Sequence, residues 1–202
     1  MLKILLMDCN FYQVSGLSLL ILKHLSDYHL LDKAIFLLPS QENNKNIANV
    51  IFQDELVTIN IFNKKCINHN ETEHNMAEKI TIHVPFLPKS KTLNDISMKI
   101  CKILEIAHAD YNEFIHDEEV YWKFGLKKYA QLSDTENDVM IFIGQGYNSA
   151  EISRILNRSR KTIRTHYRSA FRKMGAENQA EFYRYASFIA RCGCAERKTL
   201  CL

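Results

Sequence analysis

The chain has 202 residues, 47% hydrophobic and 24% charged, with a formal net charge of +3 and six cysteines. Such a length suits one large domain or two small ones. Apolar runs such as Ile4–Met7 and Leu17–Leu22 are too short to span a bilayer, and no export signal opens the chain, so no membrane partner is expected.

Leu2–Met7 reads as a buried strand, broken by Asp8, Cys9 and Asn10. From Phe11 to His24, Val14, Leu17, Ile21 and Leu25 recur at helical spacing. Further apolar runs at Ala34–Leu38, Val50–Phe52, Leu56–Phe62 and Lys79–Val84 predict strands. Asn63–Glu78 is polar and predicts a loop. Leu93–Ala107 is an amphipathic helix with Leu93, Ile96, Ile100, Ile103, Leu104 and Ala107 on one face. Strands alternating with helices predict an α/β fold with a parallel sheet over residues 1–108. Residues 109–129 are acidic, then aromatic at Tyr121, Trp122 and Phe124, and read as a linker able to pack as a short helix.

From Leu132 the pattern is wholly helical and regularly punctuated. Ser133 and Glu136, Asn148 and Glu151, and Asn178 and Glu181 each have capping-box spacing, and Ser159 is a further N-cap. Gly144 with Gly146, Asn157 and Gly175 stand where helices stop. Four helices follow, at about 134–144, 149–156, 160–174 and 179–190. The second and third are close enough for a helix-turn-helix. The expected all-α domain is 130–192, with 193–202 a loose tail.

Charge is unevenly shared. Residues 127–202 hold 14 Lys+Arg against 7 Asp+Glu, while residues 1–126 hold 12 against 16. Arg158, Arg160, Lys161, Arg164, Arg168, Arg172 and Lys173 form an acid-free run, threaded by the apolar Ile163, Tyr167, Ala170 and Met174. One face of that helix suits a core and the other a polyanion. Double-stranded DNA fits best, because Arg pairs with phosphates and also forks onto guanine edges in the major groove.

Leu132-Ser-x-Thr-Glu-x-Asp-Val139, Gly146-Tyr-Asn-Ser-Ala-Glu-Ile152, Ser159-x-x-Thr-Ile-Arg-Thr-His166 and Arg172-Lys-Met-Gly175 resemble the LuxR-type helix-turn-helix domain of bacterial transcription regulators. The resemblance implies that the third helix enters the major groove and that the fourth, with Tyr183 and Phe188 to spare, forms a dimer seam. Arg164, Thr165 and Arg168 match its base-facing positions. Asn148, Ser149, Ser159, Arg160, Lys161, Thr162 and Arg172 are the expected phosphate contacts, and Ala150 stands where the family often has Lys. His166 matches a structural His of the family, and no catalytic constellation accompanies it. The front half, with Met7-Asp-Cys-Asn-Phe-Tyr and the acid Asp54, resembles a truncated, degenerate receiver domain and is similar to the capsule-synthesis coactivators of enteric bacteria.

Asp54 is the one candidate phosphoacceptor. Receiver chemistry also needs paired acids for Mg²⁺ and a Lys-Pro pair; Asp8 is followed by Cys9 and Asn10, and Lys89 and Lys91 follow prolines instead. Control by phosphorylation is therefore not expected. Neither His69 and His74 with Glu71 and Glu73, nor Cys192, Cys194 and Cys201, makes a metal set, and the cysteine scatter predicts a reducing cytoplasm. The expectation is a non-enzymatic, cofactor-free DNA-binding regulator acting as a dimer. Two alternatives stand beside it: a small-molecule sensor, of a cyclic dinucleotide for example, and an auxiliary heterodimer partner of a full receiver-type regulator.

Overall fold

The computed structural model describes residues 1–7, 10–27, 29, 33–39, 44–63, 78–86, 92–115, 123–191 and 197–202. Among these, strands β1 (Leu2–Leu6), β2 (Ala34–Leu37), β3 (Val50–Gln53), β4 (Leu56–Phe62), β5 (Lys79–Pro85) and β6 (Arg197–Thr199) form one sheet in the order β2-β1-β3-β4-β5-β6. Helices α1 (Phe11–Asp27), α2 (Asn44–Ile47), α3 (Leu93–Ala107) and α4 (Tyr111–Ile115) accompany it. An all-helical domain follows: α5 (Asp134–Gly144), α6 (Ser149–Ile155), α7 (Arg160–Met174) and α8 (Gln179–Arg191).

The two faces of the sheet differ because side chains alternate along each strand. One face is apolar throughout: Ile4, Phe52, Val57, Ile59, Ile82 and Val84 share a cluster with Ile21 of α1 and Ile100 and Ile103 of α3. Leu17, Ile21 and Leu25 are the buried row of α1, each worth roughly 2 kcal/mol. Asn10 starts that helix, its Oδ1 accepting from the N–H groups of Tyr12 and Gln13 at 3.0 and 3.3 Å. The opposite face carries a smaller apolar cluster around Leu5 and Ile51, with Leu37 beside it, and buries Leu56 at the start of β4 against the helical domain. Across β4 and β5 it is polar and buried. Thr81 donates to Asn60 at 3.1 Å, and the Thr58 hydroxyl lies 3.2 Å from Nδ1 of His83.

The sheet is mixed rather than parallel. β1 runs parallel to β2 and β3, as expected, but β3–β4 and β4–β5 are antiparallel. Only Asp54 and Glu55 separate β3 from β4, whereas a parallel crossover needs about a dozen residues. Asp54 takes φ 51° at the first loop position, a left-handed conformation that Asp tolerates better than most residues.

The chain's end also departs from expectation. Residues 197–199 are not a loose tail: β6 pairs in parallel with β5, and Leu200 and Cys201 are buried. Burial pushes the Cys201 thiol up to about 11, so it is neither an exposed nor a reactive sulfur. The described parts of the stretch read as a linker, 109–115 and 123–129, are packed as well. Tyr111 and Phe114 are buried in the sheet cluster, and Phe114 stacks on Phe124 at 5.6 Å. Asp8, Cys9, His69, His74, Glu71, Glu73, Lys89, Lys91, Tyr121, Trp122, Cys192 and Cys194 lie outside the described residues.

Candidate nucleic-acid interface

The helix-turn-helix is built from local signals and a small apolar hub. At the start of α6, Asn148 Oδ1 accepts from the N–H groups of Ala150 and Glu151 at 2.9 and 3.1 Å, and Glu151 accepts from the Asn148 N–H at 2.8 Å. Asn157, at φ 49°, reverses the chain after α6. Ser159 then caps α7, its Oγ accepting from the Thr162 N–H at 3.1 Å. Val139, Ile152 and Ile163, one from each of α5, α6 and α7, form the hub that sets the angle between them.

α7 divides cleanly. Ile163, Ala170 and Met174 are buried, with Tyr167 beside them against Phe171 and Phe182. At about 100° per residue, Lys161, Arg164, Thr165, Arg168 and Arg172 occupy an arc of roughly 100° on the far side. All five are exposed. Among the described residues, Arg158, Arg160, Lys161, Arg164, Arg168 and Arg172 meet no carboxylate. The basic face is thus neither turned inward nor neutralised by the described residues.

Helix dipoles make this more pointed. α5, α6 and α8 carry acids in their first turns, where they oppose the positive end of the dipole. α7 has none there and has Arg160 and Lys161 instead. Such placement is unfavourable to the helix by about 0.3–1 kcal/mol per charge and leaves its N-terminal end strongly positive.

Three expected contacts are modified by their neighbours. The Thr165 hydroxyl donates to the Lys161 carbonyl at 3.1 Å, so its donor is used within the helix and its exposed methyl and acceptor lone pairs remain. The Thr162 hydroxyl sits 2.8 Å from Ser159 Oγ and belongs to the cap. Asn148 likewise uses its Oδ1 as a cap, so only its amide donors face outward. Ser149 is half-buried in the first turn of α6.

Lys173 leaves the basic face altogether. Its ammonium donates to Glu136 Oε2 and to the Gln131 carbonyl, both at 2.7 Å. Burial opposes ionisation of Glu136. The Lys173 ammonium, the Ser169 hydroxyl and the Ser133 N–H outweigh it and hold the carboxyl at about 2. Gln131 continues the network: its side chain donates to the Cys201 carbonyl at 3.0 Å and accepts from the Cys201 N–H at 2.9 Å. α7 is therefore anchored, through Glu136 and Gln131, to the strand-forming tail. Sequence reasoning saw Glu136 only as half of a capping box and had no signal for Gln131.

α8 is also committed within the chain. Phe188, expected in a dimer seam, meets His83 of the sheet edge-on at 6.1 Å, and Arg184 holds Glu55 through two hydrogen bonds. Tyr183 stays half exposed, in an open groove between α8 and the hairpin at 53–56. Asp54 lines the same groove.

Residues 130–186 match the family GerE, bacterial regulatory proteins, luxR family. The matched segment takes in α5, α6, α7 and the first part of α8. No curated protein matches the chain. Among solved structures, it is similar to the RcsB response regulator of Salmonella typhimurium, described for its conformational dynamism in DNA interaction. The identity is 16% over 94% of this chain and 100% of that one, with a TM-score of 0.29. A cysteine variant of the same regulator gives 18% identity over 93% and 98%, with a TM-score of 0.31.

Proposed function

We propose that the chain is a bacterial transcription regulator that docks α7 in the major groove of duplex DNA, as a dimer in the cytoplasm. The observation that carries this is the exposed, unneutralised arc of Lys161, Arg164, Thr165, Arg168 and Arg172 on a helix of a LuxR-type domain. Arg164 and Arg168 read base edges, with the Thr165 methyl beside them. Lys161, Arg160, Arg172, Ser149, the Asn148 amide and the capped N-terminus at Ser159 and Thr162 hold phosphates. Two protomers reading half-sites about one helical turn apart follow from the way such domains dock.

Control by partner or abundance, rather than by phosphorylation, is part of the proposal. Asp54 supports it: the residue caps a two-residue hairpin beside α8 instead of ending a parallel strand that feeds a helix.

Selection of bound genomic fragments supplies the site, and mobility shifts on it test the roles. Arg164→Ala and Arg168→Ala each weaken specific binding by ~1–3 kcal/mol and relax preference at one base pair. Lys161→Ala lowers affinity on every sequence and reduces the salt slope by about one unit. Arginine variants that bind the selected site like the wild type sink the assignment.

A further inference from the structure

α1 has a second face that none of the described residues covers. Phe11 and Tyr12 are 76% and 86% exposed, Leu19 68% and Leu22 41%. With Ser15 they form one stripe along the helix, because at about 100° per residue they fall within an arc of roughly 100°. The stripe carries no charge. Its direction follows from two neighbours. His24 Nε2 lies 2.9 Å from Ser97 Oγ, so α3 flanks the other side of α1. The stripe therefore leans towards β2, the edge strand, where Phe36 is 39% exposed. Phe36 lies on the same sheet face as Ala34, which packs against the main cluster beneath α1.

Large apolar side chains at such exposures leave on the order of 500 Å² uncovered, at the top of what a monomer tolerates. Adding Phe36 and the flanking backbone brings the patch towards the ~800 Å² per partner of a stable interface.

We propose that this stripe is a homodimer surface whose occupant is α1 of a second copy, packed antiparallel about a two-fold axis. The pattern is complementary to itself. With the axis near residue 17, Tyr12 meets Leu22 of the second copy and Leu19 meets Ser15, whose small side chain lets the helices approach. An uncharged stripe also brings no like charges together across the axis. This gives the dimeric reading above its contact surface, and frees that role from α8, whose Phe188 is spent on His83.

Sedimentation of the full chain without DNA tests it. Wild type associates to a dimer at micromolar concentration. Leu19→Glu and Leu19→Lys, both at an exposed position and checked for folding by circular dichroism, each raise the dissociation constant by at least about 100-fold. An equimolar mixture of the two variants recovers the dimer, because opposite charges now flank the axis. Met98→Glu, 57% exposed but on α3, leaves association unchanged. A wild-type chain monomeric at about 100 µM, far above the affinity such a patch gives, overturns the proposal. So does a Leu19→Glu chain that still dimerises, or a mixture that stays monomeric. Association is read without DNA, so these failures are distinct from arginine variants that keep full DNA affinity.

Discussion

In the helical domain each helix begins on a side chain that accepts from its own first turn: Ser133, Asn148, Ser159 and Asn178. In the sheet domain Asn10 and Thr92 do the same for α1 and α3, but the strands have no such local device. Their direction depends on partners far along the chain: β5 pairs β4 across residues 63–78, and β6 returns to β5 after the whole helical domain. Helix limits are written within a few residues, whereas strand order is a long-range choice. The two regions then meet where neither pattern operates, at Leu56 and Cys201, which share the helical domain's core, and at Glu55 with Arg184.

The sharpest test of that contrast is Gly144→Ala. By helix propensity alone the change is favourable, by up to about 1 kcal/mol. The structure says otherwise, because an added Cβ would lie 2.1 Å from the Ala186 carbonyl oxygen of α8. We expect a net loss of about 3 kcal/mol in urea unfolding. A neutral or stabilised variant would show that local signals alone build this domain.

Lys173→Ala comes next, at about 2–3 kcal/mol near pH 7, since it strips the cation from a buried carboxylate. The pH dependence has a definite sign. Glu136 is held at about 2, below its ordinary 4.5, so its contribution is complete above the unfolded value and disappears as pH falls from about 5 towards 2. Stability curves of variant and wild type should converge at the acid end; parallel curves down to pH 2 would exclude the pair as the cause.

The smallest effect is Gln131→Ala, about 1–2 kcal/mol, from two lost hydrogen bonds to a buried backbone. Hydrogen exchange should then quicken at residues 197–201 more than in α7. Equal protection in both proteins would mean that β5 alone holds the tail.

The basic face is readable in the amino-acid sequence, since charge and apolar periodicity share one helix there. Capping spacing gave α5 to α8 nearly residue for residue; only Asn178 and Glu181 differ, the Glu181 carboxylate accepting from the Glu177 N–H instead of the cap's own. Lys173 looked like one more cation in the run. Which side it faces is set by helical phase, but what it meets depends on Glu136, 37 residues away. Thr162 and Thr165 matched contact positions, yet their hydroxyls were already claimed by neighbours one turn back.

The linear chain thus determined most of the elements, the α/β-then-α order and the charged helix, because capping, periodicity and charge act within one or two turns. Tertiary structure alone decided that β3 turns back on itself, that the last residues become a strand and a latch, and that α8 faces the sheet while a stripe of α1 is left bare. Those outcomes come from backbone pairing and burial between segments tens of residues apart, for which one strand or apolar face advertises no particular partner.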